Sequence, residues 1–258
     1  MKRTGVSRAT GFTLIELLVV VTAIAILASV LMPALCRARY EPTVTACKAN
    51  YRQWGVACNL YAADNSRGAY PSFSLYLSGA NAWDIALAMI PAMEPYGITL
   101  PMWFCPARPA GFDLADATCQ SKTGHGIRDL TDLQTSLRYA QTSWGSAHHD
   151  VWIPRYNGPV SPNYLYPQVW NYVLGIPNPN ANEVYQWPSR TIDTSVSKAP
   201  VLSDRVVGTS TNLLQAIEGH SVNGHVDSVN VLFGDGHVDL HKSSVMKWRW
   251  KGNFYTFY

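Results

Sequence analysis

The sequence predicts an α+β protein: a long N-terminal helix, membrane-embedded in its first half, packs its second half on an antiparallel sheet that carries loop-rich insertions. Three observations lead there. From Phe12 to Leu35 only Glu16 is ionisable, set among Leu, Ile, Val and Ala, and a run of this length is about what a helix needs to cross the hydrocarbon core of a bilayer. Val44, Cys47, Tyr51, Trp54, Cys58 and Tyr61 then recur at spacings of three and four, which draws one apolar stripe along a helix. Towards the other end, Val229–Phe233 and His237–His241 flank Gly234-Asp235-Gly236, a hairpin signal because Asp and Gly tolerate the positive φ of a tight turn.

In chain order, Lys2, Arg3 and Arg8 precede the apolar run. This basic flank keeps the N-terminus cytoplasmic and sends the rest outward, although Arg37 and Arg39 beyond the run weaken the asymmetry. The leader lacks the small-x-small cleavage pattern of an ordinary secretory signal. Pro33 and Pro42 predict a bend or local unwinding, with Thr43 capping a new helical stretch that reaches about Ala63. Asp64-Asn65-Ser66-Arg67-Gly68 is a turn-rich stop, and Tyr70-Pro71 begins an extended segment. Trp83 to Met93 is the best candidate for a further short helix. Residues 107–200 hold Pro154, Pro159, Pro162, Pro167, Pro177, Pro179 and Pro188 and read as loops and short strands decorating the sheet. Ala199–Asp204 reads as a strand that ends in an acidic residue. The organisation expected is a leader at 1–11, a transmembrane helix at 12–35, an amphipathic continuation at 36–66 and a globular head at 67–258.

The order basic leader, Gly11-Phe12-Thr13-Leu14-Ile15-Glu16, apolar helix resembles the class III signal of type IV prepilins and of type II secretion pseudopilins. The resemblance implies that a prepilin peptidase cuts between Gly11 and Phe12 and methylates the new Phe12 amine. Pro33 also falls where that family's first helix has a proline. A freed amine and the Glu16 carboxylate of a neighbouring subunit are each costly beside apolar surface and neutralise one another only when subunits stack. The passage from Cys47 to Tyr70-Pro71, the triplet Phe104-Cys105-Pro106, and His225 followed after nine residues by Asp235-Gly236 resemble elements of one branch of the same family. The function that the resemblance implies is that of a structural subunit of a pilus-like filament or secretion pseudopilus. It would sit as a single-pass protein in the cytoplasmic membrane, its head extracytoplasmic, with the peptidase and other pilin subunits as partners.

Composition bounds the alternatives. Charged residues make up 14% of 258, and the net charge of +3 comes without a Lys/Arg block longer than two, so the electrostatic footprint of nucleic-acid binding is missing. Nine Trp and fourteen Tyr suit either aromatic core packing or carbohydrate contact. Of the five cysteines, Cys36 is expected to be free. Cys47 lies on the helical stripe and Cys105 follows the segment that should return beside it, so a Cys47–Cys105 disulfide is expected, with Cys58 and Cys119 as alternative partners. Such a bridge would contribute about 3–5 kcal/mol in the chain-entropy model. On the strand after the turn, His237, Asp239 and His241 share one face. Together with His225, Asp235, Asp227 and Asp204 they offer ligands for a divalent metal such as calcium, against a solvated strand face with no cofactor. Gly-x-Ser-x-Gly, phosphate-binding Gly loops and His-Glu-x-x-His are absent, and carboxylates such as Asp204, Glu218 and Asp235 do not by themselves make an enzyme. An anchored head that displays a sugar- or metal-binding surface without polymerising is the alternative function.

Overall fold

The computed structural model describes residues 13–75, 81–140, 142–157, 161–166, 172–173, 176–177, 187–251 and 254–258. The leader at 1–11, Gly11 and Phe12 with it, lies outside the described residues, as does the side chain of Cys36. The chain divides into two compact units, the boundary falling after Thr43.

The first unit is helical. Helix α1 spans Leu14–Asp64, and its part Leu14–Met32 is 19 residues with mean hydropathy 2.8 and no buried residue. Its polar side chains are satisfied within the helix: Thr22 Oγ1 donates to the Val19 carbonyl at 2.9 Å and Ser29 Oγ to the Ile26 carbonyl at 2.7 Å. That is the condition for polar groups in an apolar medium. The unwinding expected at the prolines does not occur, because α1 runs helical through Pro33 and Pro42. Each proline removes one donor without ending the ladder. Thr43 accordingly caps nothing and donates back to the Tyr40 carbonyl at 2.7 Å.

The second unit begins at Val44, so about the last six turns of α1 belong to the head. The predicted stripe is buried there at Cys47, Tyr51, Trp54 and Cys58, joined by Ala57 and Ala62. It packs in one cluster with Val151, Val201, Leu202, Leu232 and Val238. Those partners come from a five-stranded antiparallel sheet built from β3 (His149–Val151), β8 (Pro200–Asp204), β11 (His220–Val222), β12 (His225–Phe233) and β13 (Val238–Lys242). Strand β12 is central. It pairs with β13 along Ser228–Leu232, while its opposite edge is shared by β11 near His225–Ser228 and β8 near Val231–Phe233. Its two faces are both covered, Leu232 against α1 and Val229, Val231 and Phe233 in a second apolar cluster. That cluster also takes in Val206, Trp248, Tyr255 and Phe257 from a four-stranded sheet of β9 (Val206–Gly208), β10 (Ile217–Glu218), β14 (Trp248–Lys251) and β15 (Tyr255–Phe257).

The remaining elements are β1 (Asp84–Ala86), α2 (Met89–Met93), α3 (Pro109–Thr123), α4 (Leu130–Leu137), β2 (Trp144–Ser146) and the short strands β4 (Arg155–Asn157), β5 (Ser161–Tyr166), β6 (Tyr172–Val173) and β7 (Ile176–Pro177). Of these, β4 pairs with β5 and β6 with β7 as separate two-stranded sheets. Two expectations need correction here. The helix expected over Trp83–Met93 shrinks to Met89–Met93, since Asp84–Ala86 pairs with Trp144–Ser146 as strand. The segment expected to be loops and short strands opens instead with two helices. Pro109 enters α3 where its missing N–H costs nothing, left-handed Gly124 closes it, and Asp129 caps α4 by accepting from the Thr131 and Asp132 amides.

The Asp235-Gly236 hairpin forms as expected between β12 and β13, with Gly236 at φ +90°. Its turn is tied to the rest of the head through the Gly234 carbonyl, which accepts from Tyr70 Oη at 2.8 Å and from Asn59 Nδ2 of α1 at 3.1 Å. A Cβ at Gly55 would lie 2.9 Å from Leu232 Cδ1 and 3.2 Å from Gly236 Cα, so glycine lets α1 approach the sheet closely here.

Candidate functional site

At the start of α1, Glu16 finds its partner locally. Its Oε2 accepts from the Thr13 amide at 2.9 Å and from Thr13 Oγ1 at 2.7 Å, and Thr13 Oγ1 accepts from the Glu16 amide at 3.3 Å. This is a reciprocal capping box over Thr13-Leu14-Ile15-Glu16. The segment thus carries a carboxylate engaged within its own first turn, exposed among exposed Leu14, Ile15 and Leu17.

The hairpin residues do not gather as one ligand group. His225 and Asp235 flank β12 at opposite ends, and nine extended residues set those ends about 26 Å apart. That length, unavoidable once the intervening residues are strand, overturns the idea that His225 and Asp235 hold one ion. On the far side, Asp235 Oδ1 faces His237 Nδ1, His237 Nε2 lies 3.8 Å from Asp239 Oδ2, and the His237 ring stacks on Phe233 at 4.2 Å. His241, 6.4 Å from the same Phe233 ring, has its pKa lowered by burial. Asp235 also accepts from the His237 amide, the local bond that a turn aspartate makes.

Side chains from four distant stretches meet under α1 instead. Cys47, Cys105, Asp204 and His220 are all buried, and one donor atom of each lies within 4.8 Å of the others. Asp204 stands at the end of β8 and His220 at the start of β11, both against the same edge of β12. Asp204 Oδ2 is 2.9 Å from His220 Nε2 and accepts from the Asn230 amide at 2.7 Å. Its Oδ1 accepts from Tyr51 Oη at 3.1 Å and from Cys47 Sγ at 3.4 Å. Tyr51 Oη in turn lies 2.9 Å from Nδ1 of His149, whose Nε2 faces the Met102 carbonyl at 3.2 Å.

Electrostatics follow from that packing. Burial works against an ionised Asp204, but the charge and hydrogen bond of His220, the nearby His149 and the Asn230 amide outweigh it and hold the carboxyl well below its usual range. Burial likewise works against a charged His220, yet Asp204, by charge and hydrogen bond, and then Cys105 raise it to about 10. The two form a buried ion pair. Burial pushes the Cys47 thiol up, whereas Cys105 sits lower because Cys47 hydrogen-bonds to its sulfur. The expected Cys47–Cys105 bridge is not formed, and both are free thiols, as are Cys58 and Cys119. The fold does bring the two expected partners side by side. The arrangement offers two soft sulfurs, an imidazole and a carboxylate to one point, and no spacing in the sequence signals it.

His148-His149-Asp150, within the stretch expected to be loops and short strands, is buried, and its last two residues begin β3. Burial, followed by the charges of Arg205 and Arg108, lowers His148 to about 2, and burial lowers His149 to about 4 against the pull of Asp204. Glu218 is engaged by Arg108 and Arg205 in a partly buried cluster. Each of the eight tryptophans among the described residues is buried, so none of them offers the exposed platform on which a sugar ring would stack.

A family model described as the prokaryotic N-terminal methylation motif matches residues 6–32. No curated protein and no solved structure matches the chain. The match ends where the exposed apolar segment Leu14–Met32 ends. The chain therefore carries a prokaryotic N-terminal methylation motif on an N-terminal apolar helix, an arrangement consistent with a prepilin-type pilin or pseudopilin.

Proposed function

We propose that this chain is a structural subunit of a type II secretion pseudopilus or of a type IV pilus-like filament. It is cleaved between Gly11 and Phe12 by a prepilin peptidase, N-methylated on Phe12, and held in the cytoplasmic membrane by α1 with its head outside. The observation that carries this reading is the methylation motif laid over an apolar segment, Leu14–Met32, that has no buried residue. Such a surface calls for lipid before assembly and for neighbouring helices after it. The capping box gives Glu16 a role in each state. In the lone subunit Thr13 occupies the carboxylate, and in a stack the charged Phe12 amine of the next subunit is the stronger partner. The tryptophans among the described residues pack inside the head and help to hold it together as the body that such a stack would carry.

Two measurements on one preparation test this. Protein from the native host is expected to have the mass of a chain that begins at N-methylated Phe12, and Gly11→Val is expected to keep its leader. Glu16→Leu is expected to be inserted and cleaved like wild type, yet to fall at least tenfold in the sheared surface fraction. An intact Met1 terminus on the mature protein would sink the processing step. Equal recovery of wild type and Glu16→Leu in sheared filaments would sink the assembly step and leave a displayed, non-polymerising anchor.

A further inference from the structure

We propose that Cys47, Cys105, Asp204 and His220 form a closed site for one zinc-like divalent transition-metal ion when the protein is reduced. The site lies within the head alone and stands whether or not the chain polymerises.

Size is the first argument. A tetrahedral ion with metal–sulfur bonds of about 2.3 Å and metal–nitrogen or –oxygen bonds of about 2.0–2.2 Å sets its ligand atoms about 3.3–3.8 Å apart. The four donor atoms here, one from each residue, already lie within 4.8 Å of one another. Adjustments of about an ångström close the remaining gap.

Donor chemistry is the second argument. Two thiolates and an imidazole select zinc and its neighbours over calcium or magnesium, which take oxygen ligands. Four protein donors, each 5% exposed or less, leave no open position, which is the form of a structural rather than a catalytic zinc site.

The third argument is the shell around the donors. Asp204 is oriented by the Asn230 amide and by Tyr51 Oη, which His149 holds in place. His220 Nδ1 faces Ser228 Oγ at 3.4 Å, the placement that leaves Nε2 for a metal. Asn230 is fully buried, with its side-chain Nδ2, distinct from the backbone N–H that Asp204 accepts, 3.5 Å from His220 Nε2 and its Oδ1 unpartnered among the described residues. Its carbonyl is thus an acceptor held in reserve at the edge of the donor set. An ion here would clamp α1, the Cys105 segment, β8 and β11 at one point, and would do what the expected disulfide does between only two of those four.

The test uses the full chain in detergent, reduced, stripped with chelator and titrated with cobalt(II) as a spectroscopic stand-in for zinc. One equivalent is expected to give a sulfur-to-cobalt charge-transfer band together with the intense d–d bands of tetrahedral cobalt, and one equivalent of zinc is expected to remove both. Cys105→Ser is expected to halve the charge-transfer intensity and weaken binding at least tenfold. Cys119→Ser is expected to change neither, which separates the site from the group Cys119, His125 and Asp132, the other place where three such donors meet among the described residues. Because a cysteine variant that folds poorly would also lose the band, the wild-type spectrum decides. Its absence in protein whose Cys47 and Cys105 both titrate as free thiols would overturn the proposal.

Discussion

Asp204→Ala is expected to lower the stability of the head by about 3–5 kcal/mol, the usual cost of removing one partner from a buried pair. The substitution leaves the His220 ring uncompensated and takes the acceptor from the Asn230 amide, Tyr51 Oη and Cys47 Sγ at once. Unsatisfied buried donors add to the loss of the charge partner. Adding His220→Gln to Asp204→Ala is expected to recover part of the loss, since the stranded charge goes with the ring, and the cycle isolates the coupling of the two side chains. Denaturant unfolding of reduced, chelator-treated protein, followed by tryptophan fluorescence, measures it. A loss below about 1 kcal/mol for Asp204→Ala would mean that the two side chains do not depend on one another as a buried pair must.

Raising the pH from 7 to 9 is expected to destabilise the same metal-free protein by roughly 2–3 kcal/mol through His220 alone. The folded value of about 10 lies above the unfolded value of 6.5. The pair's contribution is therefore complete below pH 6.5 and lost as pH rises towards 10, at about 1.4 kcal/mol per pH unit. Asp150, whose carboxyl burial raises well above its usual value, acts in the same direction. Over most of this window His148 and His149 are neutral in both folded and unfolded chains and contribute little slope, because their folded values of about 2 and 4 and the unfolded value of 6.5 all lie below it. Below pH 6.5 the signs oppose. The two neutral histidines lose stability as the unfolded chain takes up protons, while Asp150 gains it. The alkaline limb is thus the informative one. In His220→Gln it is expected to flatten by about one proton's worth of slope, and an unchanged limb would exclude His220 as its source.

Both predictions rest on contacts that the sequence did not announce, and the division has a physical cause. The features that the sequence determined by itself are local and periodic. A run with Glu16 as its single charge has the length of a membrane span whatever surrounds it, and the 3.6-residue period of a helix turns Cys47, Tyr51, Trp54 and Cys58 into one face before any partner is known. Asp235-Gly236 fixes a turn because its backbone needs a positive φ, found at Gly236. The caps of α3 and α4 are equally local at Pro109, Gly124 and Asp129, but the proline-rich stretch downstream masks them when the whole segment is read by composition. Only the tertiary structure decided where chemistry collects. His225 and Asp235 look like neighbours in a motif, yet the extended backbone of β12 between them drives them to opposite ends of the sheet. Asp204 and His220 are separated in sequence by β9 and β10, yet they touch because β8 and β11 pair with the same edge of β12. Cys47 and Cys105 complete the group because α1 lays its stripe across that edge and the chain returns beneath it. Register between strands is set by long-range pairing and by what each face must bury, so it is invisible to a period read along one segment.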